Sequence, residues 1–340
     1  MIDISYDWTL ADAKFPKDRG NVFSCFACAG GSTMGYKLAG FDVIGCNEID
    51  PTVAQMYRVN HSPEFMYVND IREMVADKNL PSALFNLDIL DGSPPCTSFS
   101  VAGVRERDWG VRRKFKEGGK IQVLDTLFFD FIALAKRLQP KIVIAENVQG
   151  ILVGEAMKYT VRILNSFDDA GYVSKYFSLN GADMGLPQSR QRVFFIAVRK
   201  DLADEIDIGS FRMEFSEPRI PYSAIASYGK PFKELTELGK KYWQEAAPGE
   251  PVGKFRTNVK ARMDRPVPTI LAGDRGSYAP HEPRFLDADE VILASSFPRD
   301  YDFLGKHPRY ACGMSVPPLM AARVADRVAA RFLESSPYIL

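Results

Sequence analysis

One cysteine is presented by a stiff piece of chain. Residues 91–100 read Asp-Gly-Ser-Pro-Pro-Cys-Thr-Ser-Phe-Ser and follow an apolar run at 87–90, which we interpret as the end of a buried strand. The two prolines fix the backbone and prevent a helix from starting before Cys96. Open α/β sheets bind their ligands at the carboxyl ends of strands. The segment therefore predicts a reactive thiol at Cys96, with a rigid turn that happens to contain a cysteine as an equally weighted alternative.

The first fifty residues follow the order of a nucleotide-binding βαβ unit. An apolar run at 22–28 leads into a glycine turn, a short helix and a second strand near 41–46. Glu48 then falls 18 residues beyond Gly30, about where such folds place a carboxylate for two ribose hydroxyls. The dinucleotide glycine pattern is absent, because Cys28 stands where its first glycine would be. A glycine helix cap followed by an acidic strand end therefore remains an alternative.

Two other strand ends carry side chains that complement the thiol. The apolar run 141–148 has Glu146 and Asn147 near its end, and Arg192 immediately precedes the apolar run 193–198. A nucleophile, an acid and a cation beside a nucleoside pocket fit the activation of an electron-poor ring. The thiolate adds to the ring, the carboxyl group contacts a ring nitrogen, and the arginine holds an exocyclic oxygen. The neighbouring ring carbon can then take an electrophilic methyl group.

Five motifs stand in a fixed order along the chain. They are Phe26-Ala27-x-x-Gly30-Gly31, Pro94-Pro95-Cys96 with Phe99-Ser100, Glu146-Asn147-Val148, Gln188-x-Arg190-x-Arg192 and Gly313-x-Ser315-Val316. In this order and spacing they resemble the motifs of the cytosine-C5 DNA methyltransferase family. The resemblance covers roughly residues 22–200 and 284–332 and leaves the region between as that family's variable target-recognition domain.

The resemblance implies S-adenosylmethionine as the cofactor. Phe26, Gly30 and Gly31 would line its pocket, and Glu48 would bind its ribose. The adenine would pack on Ile49, and Asp70 would bond an adenine nitrogen, while Ser315 would approach the cofactor from the C-terminal motif.

The resemblance also assigns the roles at the target base. Cys96 would attack C6 of a cytosine flipped out of the helix, Glu146 would contact N3 and the exocyclic amine, and Arg192 would bond O2. Arg190 would sit close to both the cysteine loop and the substrate. The residues expected to contact substrate or DNA are Pro95, Ser100, Asn147, Gln188, Arg112, Arg113 and Arg275.

Three features depart from the family's pattern. Cys28 replaces the usual glycine of the cofactor loop, and Met314 stands where asparagine is usual. The segment between Cys96 and the helix near 127 is also longer than is typical. A cysteine fits the cofactor turn if its backbone angles are ordinary, and we expect activity to survive both substitutions.

The composition is that of a soluble globular protein, with 46% apolar and 25% charged residues. No apolar run approaches 18 residues and no secretory signal is visible, so we expect no membrane span and a cytoplasmic location, nucleoid-associated when DNA is bound. Lys+Arg 43 and Asp+Glu 43 balance, so a DNA-binding surface must come from local clusters such as 101–120 and 253–284. Five scattered cysteines indicate reduced thiols, and Cys25-x-x-Cys28 without a second pair predicts no metal site.

Periodicity predicts the elements that position these residues. Helices are expected near 121–138, 155–169 and 288–295, with a C-terminal helix after Pro318. The fold class expected is α/β, a doubly wound and mostly parallel sheet with a small irregular recognition domain. We assign 1–200 to the catalytic and cofactor domain, 201–283 to target recognition and 284–340 to a segment that returns to the first domain.

Three other functions compete with DNA cytosine methylation. A tRNA cytosine-C5 methyltransferase would share the fold, but the large basic region at 201–283 favours duplex DNA. A silent DNA-binding relative would not need Cys96, Glu146 and Arg192 together. A nicotinamide dehydrogenase would leave the Pro-Pro-Cys loop unexplained. We expect a monomer that acts on duplex DNA, with a cognate restriction endonuclease as a conceivable partner.

Overall fold

The computed structural model describes residues 5–95, 112–113, 122–123, 126–203, 207–227, 234–273 and 276–334, without the side chains of 112–113 and 122–123. Within these residues the strands are β1 (Asn21–Cys25), β2 (Asp42–Asn47), β3 (Phe65–Tyr67), β4 (Ile89–Gly92), β5 (Arg112–Arg113), β6 (Gln122–Val123), β7 (Ile142–Val148), β8 (Tyr172–Asn180), β9 (Gln188–Ser189), β10 (Gln191–Arg199) and β11 (Val267–Pro268). Seven of them form one sheet in the order β3-β2-β1-β4-β7-β10-β8.

The helices are α1 (Gly31–Leu38), α2 (Pro51–His61), α3 (Ile71–Ala76), α4 (Leu127–Leu138), α5 (Ala156–Asp169), α6 (Lys200–Ala203), α7 (Glu237–Glu245), α8 (Ala288–Ala294), α9 (Arg309–Met314) and α10 (Pro318–Phe332). The helices predicted near 155–169, near 288–295 and after Pro318 are present. The helix predicted near 121–138 begins only at Leu127, and Gln122–Val123 form the strand β6, so that prediction was wrong at its start. None of the described helices is both long enough and apolar enough to cross a membrane.

The central sheet is mostly parallel. The strands β1, β2, β3, β4 and β7 run parallel to their neighbours. Only β10 reverses, pairing antiparallel with β7 and with β8. Because β10 runs backwards, its first residue and the last residues of β7 meet at the same edge of the sheet. The predicted doubly wound α/β fold is confirmed.

Both faces of the sheet are covered by apolar helices. Successive residues of β10 alternate between the two layers: Phe194 and Ile196 pack with α1 and α10, whereas Val193 and Phe195 pack with α4 and α5. Burial on both faces explains why this strand reads as a continuous apolar run in the sequence. The two layers hold the carboxyl ends of the parallel strands in a fixed arrangement.

The C-terminal helix completes the first layer. Its buried side chains, among them Leu319, Val324 and Val328, join the cluster that includes Tyr36 of α1. The approach is very close at Gly35, where an added Cβ would lie 2.5 Å from Cβ of Ala321. The C-terminal helix α10 therefore packs against α1, beside β1.

The region after residue 200 has little regular structure. A small cluster of Ala246, Val252, Tyr278 and Phe285 forms its own core. The ammonium group of Lys260 lies 3.7 Å from the Trp243 ring centroid and donates to the carbonyls of Trp243 and Ala246. A bridge to the main body is the pairing of β11 with β9. The irregular character matches expectation, and the domain limits at 200 and 283 stay predictions.

Candidate active site

The turn after β1 departs from the predicted strand. The apolar pattern runs through residue 28, but the strand ends at Cys25. Phe26, Cys28 and Gly30 all have left-handed backbone angles, with φ of 52°, 49° and 75°. Alternating left-handed residues cannot continue a strand, so the prediction of a strand to residue 28 was wrong at its end. The condition of ordinary backbone angles at Cys28 is not met either.

Glu48 holds this turn to the end of β2. Its Oε2 accepts a hydrogen bond from the backbone N–H of Cys28 at 2.8 Å, and its Oε1 accepts one from the backbone N–H of Asp50 at 2.9 Å. Burial raises the pKa of Glu48, and the two backbone donors oppose that shift. The carboxylate is therefore fixed in place at the mouth of the βαβ unit.

A cavity opens at this point, with about 720 Å³ of empty space that is partly open to solvent. Predicted cofactor residues Phe26, Glu48, Ile49 and Asp70 line it. Its wall also contains side chains that sequence reasoning did not assign to the cofactor: Cys28, Asn47, Asp50, Val53, Asn69, Ile71, Ser93, Leu127, Tyr310 and Met314.

The chemistry of the lining suits an adenosine-type ligand. The lining combines acidic residues, Glu48 and Asp70, which follow β2 and β3, with apolar side chains such as Phe26 and Ile49. The Oδ2 atom of Asp50 is buried without a hydrogen-bond partner. Carboxylates for hydroxyls and an amine, with an apolar slot for a ring, are the groups that such a ligand requires.

Three predicted cofactor residues shape the cavity from behind its wall. Gly30 begins α1, and Gly31 lies so close to the C-terminal motif that an added Cβ would be 2.1 Å from the carbonyl oxygen of Val316. Ser315 is buried beside them. None of the three is a lining residue, so they are packed behind the residues that line the cavity.

Glu146 and Arg192 form an ion pair at the edge of the sheet. Nε of Arg192 lies 2.8 Å from Oε1 of Glu146. The pair arises because β10 runs antiparallel to β7, which brings Arg192 opposite Val148. Burial lowers the pKa of Arg192, and Glu146 opposes that shift. The acid and the cation expected at the substrate are therefore brought together. Arg192 also lines a second cleft.

Cys96 itself lies outside the described residues, but the chain leading to it is fixed. Pro95 lines the cofactor cavity. Nδ2 of Asn147 donates to the carbonyl oxygen of Pro94 at 3.2 Å, and Oδ1 of Asn147 accepts from the backbone N–H of Val148. Asn147, expected to touch substrate, therefore holds the entrance of the cysteine loop.

Four other residues were expected to contact substrate or DNA. Ser100 and Arg275 lie outside the described residues, as do the side chains of Arg112 and Arg113.

The structure corrects the expectations for Arg190 and Gln188. The guanidinium of Arg190 is buried and donates to the carbonyls of Ile270, Gly313 and Ser315 at 3.3, 3.1 and 2.8 Å. Burial lowers the pKa of Arg190 to about 9. It is thus committed to backbone carbonyls instead of a substrate.

Gln188 is equally internal. Its Nε2 donates to the carbonyl of Ala294 and its Oε1 accepts from the N–H of Ile270. With both amide atoms bonded to backbone, the side chain is not free to contact DNA. The family resemblance placed Gln188 and Arg190 near substrate or DNA, but Arg190 lies between β9 and β10 and both side chains turn into the interior.

Sequence reasoning missed Asp91. This residue of β4 is 4% exposed and accepts hydrogen bonds from three hydroxyls: Ser24 at 2.7 Å, Ser32 at 2.8 Å and Tyr36 at 3.1 Å. Burial raises the pKa of Asp91 to about 6, and the hydroxyl donors oppose that shift. The available signal was an acidic residue directly after the apolar pair Ile89-Leu90, four positions before Pro95.

A second cleft lies between the sheet edge and the irregular region. It is lined by Val148, Gln149, Gly150, Ser189, Gln191, Arg192, Thr257, Pro266, Pro268, Thr269 and Leu271. Arg192 thus lies at the boundary of the sheet and this cleft. Across the described portion of the chain, no cluster of three or more His, Cys, Asp or Glu side chains could hold a metal ion. The four cysteines within that portion are free thiols.

Comparison with known proteins points in one direction. A sequence model of the family described as C-5 cytosine-specific DNA methylase matches residues 20–247. Type II methyltransferase M.FnuDI of Fusobacterium nucleatum is 36% identical over 181 residues, which are 53% of this chain and 47% of that protein. The match thus spans about half the length of that relative.

Two further comparisons extend over most of the chain. Type II methyltransferase M.Sau96I of Staphylococcus aureus is 35% identical over 319 residues, covering 84% of this chain and 69% of that protein. A crystal structure described as a DNA modification methyltransferase encoded within an E. coli prophage gives a TM-score of 0.69 at 19% identity, over 92% of this chain and 99% of that one. At such identity the structural likeness shows the fold alone.

Proposed function

Because the chain belongs to the C-5 cytosine-specific DNA methylase family, we propose that it methylates C5 of a cytosine flipped out of duplex DNA, with S-adenosylmethionine as the methyl donor. The observation that carries the proposal is the Glu146–Arg192 pair at the sheet edge. It lies at the same edge as the strand end from which Pro95 leads into Cys96, next to a cavity with the lining of a nucleoside site.

The cofactor site is assigned from its hydrogen-bond acceptors and apolar side chains. Glu48 would bind the ribose hydroxyls, Asp70 the adenine amine, and Phe26 and Ile49 the adenine faces. Asp50 has an unpartnered carboxylate oxygen that can accept one more hydrogen bond. When bound, S-adenosylmethionine supplies an electrophilic methyl group.

The residues of this chain do the remaining chemistry at the base. The Cys96 sulfur forms a bond to C6 of cytosine while Glu146 holds the N3 edge and Arg192 the O2 oxygen. The electron pair displaced from the C5–C6 double bond makes C5 nucleophilic, and C5 gains the methyl group. Loss of the C5 proton and departure of the Cys96 thiolate restore the ring. Because a free thiol is mostly protonated at neutral pH, the site must lower its pKa or accept its proton.

The second cleft is the proposed DNA site. Arg192 of the sheet edge lines it, together with Thr257 and Thr269 of the irregular region. A base inside a duplex cannot reach the sheet edge, so the target must leave the stack. The relatives are named Type II methyltransferases, which supports a cognate endonuclease as a partner.

Labelled S-adenosylmethionine and mixed-sequence duplex DNA test the proposal directly. The wild-type protein should place label in 5-methylcytosine, and Cys96→Ala should place none. The variant should still bind S-adenosylmethionine by calorimetry, which controls for folding. A duplex containing 5-fluorocytosine should give a denaturation-resistant adduct with the wild type only. Fluorine takes the place of the C5 proton whose loss allows Cys96 to leave C6, so the protein stays bound to the base.

A parallel reaction with tRNA addresses the main alternative. Label in tRNA and none in DNA would contradict DNA as the substrate while leaving the chemistry intact. Label in neither nucleic acid, with cofactor binding preserved, would indicate a silent DNA-binding relative. Either outcome would overturn the proposed activity.

A further inference from the structure

Asp91 is a buried carboxylate next to the proposed cofactor site. It lies on β4, where it pairs in register with Ser24 of β1 and Ile144 of β7. Ser93, two residues further, lines the cofactor cavity, and so does Phe26, two residues beyond Ser24. Asp91 therefore lies two residues along the chain from Ser93 in the cavity wall, and beside a strand that leads to Phe26 in the same wall.

The groups around Asp91 favour its ionised form. Three hydroxyls donate to it: Ser24 and Ser32 to Oδ2, and Tyr36 to Oδ1. A carboxylate has lone pairs for all three donors, whereas a protonated carboxyl group would surrender one of them. Hydrogen bonds to the charged form favour that form. At neutral pH the side chain carries a negative charge in the interior.

This charge has no cationic partner within the described segments. No ion pair there involves Asp91, and the charged group that acts on it, Glu146, has the same sign. Its other interactions are with neutral groups: the thiol of Cys25, the hydroxyls on β1 and α1, and the hydroxyl of Tyr57 on α2. An uncompensated buried charge is costly to stability. An asparagine or serine could bond to the same hydroxyls without that cost, so anchoring alone does not explain an acid here.

A cation in the neighbouring cavity would explain it. S-adenosylmethionine has a positively charged sulfonium, whereas its demethylated product, S-adenosylhomocysteine, has a neutral thioether. We propose that Asp91 selects the sulfonium form of the cofactor over the spent product through its buried negative charge. The inference rests on the proposed function. It also gives the carboxylate a role in turnover, because a product that is bound less tightly leaves the site sooner.

Calorimetry with both ligands, without DNA, tests the inference. In Asp91→Asn the affinity for S-adenosylmethionine should fall by roughly five- to tenfold relative to that for S-adenosylhomocysteine, as expected for removing one unit charge near a partly hydrated cavity. Ser24→Ala is the matched control, since it removes one hydroxyl donor but keeps the charge. Its ratio of the two affinities should equal that of the wild type.

Equal losses for both ligands in Asp91→Asn would overturn the inference and leave Asp91 as an anchor. If the wild type binds neither ligand, the proposed function itself fails, which is a separate result. Should Asp91→Asn not fold, the wild-type affinity ratio can be measured at pH 7 and pH 5. It should decline at pH 5 as Asp91 becomes protonated, and a constant ratio would contradict the role of the charge.

Discussion

At the scale of single residues, the ionisation of buried Asp91 lowers the stability of the folded protein. Burial raises its pKa from 3.8 to about 6 in the folded protein. Between these values the folded state keeps a proton that the unfolded state has lost, so the free energy of unfolding falls as pH rises through that window. Above about pH 6 the penalty is complete.

Asp91→Asn should therefore stabilise the protein at neutral pH, by at most about 3 kcal/mol, less whatever the weaker hydrogen bonds of the amide remove. The gain should shrink at pH 5 and vanish near pH 4, where wild-type Asp91 is mostly protonated. Thermal melts of both proteins at three pH values check this. A gain that does not change with pH would mean that the charge is not the cause.

Cys28 offers a second test on a single residue. Its φ of 49° lies in the left-handed region, which costs an ordinary residue about 1 kcal/mol relative to glycine. Cys28→Gly should therefore be more stable than Cys28→Ala by about 1 kcal/mol, since the alanine retains the strained angle. Urea unfolding of the two variants measures the difference. Equal stabilities would show that the turn relaxes around either residue.

Several site residues could be predicted from the sequence, and others could not. Glu146 and Arg192 were identified because each stands at the end of an apolar run, where a polar side chain must face an edge. Arg190 was misassigned because spacing does not reveal which way a side chain turns between two short strands. Asp91 was missed because its partners, Ser32 and Tyr36, come from a distant helix that only the fold brings near.

At the scale of elements, apolar periodicity predicted the helices and strands well. The α4 helix and β10 are long and strongly patterned, and the fold covers the surfaces that their patterns imply. The end of β1 was predicted wrongly because residues 26–28 are as apolar as a strand. Backbone handedness leaves no trace in hydrophobicity, and here it changes at Phe26.

The contact between α1 and α10 gives a prediction at this scale. An added Cβ at Gly35 would lie 2.5 Å from both Cβ of Ala321 and the carbonyl oxygen of Pro318. Gly35→Ala should therefore separate the two helices and lower the free energy of unfolding by about 1–3 kcal/mol. Gly239→Ala in α7 is the matched control, because its nearest neighbour would be 3.4 Å away. Chemical denaturation should show no loss for this control, and similar losses in both variants would contradict the packing argument.

At the scale of the whole molecule, the irregular region is joined to the sheet by internal polar contacts. Arg190 binds three carbonyls from two stretches of chain: Ile270 in the irregular region, and Gly313 and Ser315 in the segment that leads to α10. The first stretch borders the second cleft and the other borders the cavity beside Glu48, so one guanidinium fixes their relative positions. Arg192, two residues on, faces the cleft instead.

The two arginines should therefore respond differently to the same substitution. Arg190→Lys replaces a planar, multiply donating group with a single ammonium that cannot reach three carbonyls, so it should lower the free energy of unfolding by about 2–4 kcal/mol. Arg192→Lys keeps a cation beside Glu146 and should change the free energy of unfolding by less than about 1 kcal/mol. Methyl transfer should fall steeply, because the planar guanidinium proposed to hold O2 of the cytosine is lost. Thermal denaturation and the labelled-methyl assay, run on both variants, distinguish a structural role from a role at the substrate. If Arg190→Lys is as stable as the wild type but loses activity, the guanidinium of Arg190 acts at the substrate, and the argument from its carbonyl contacts is wrong.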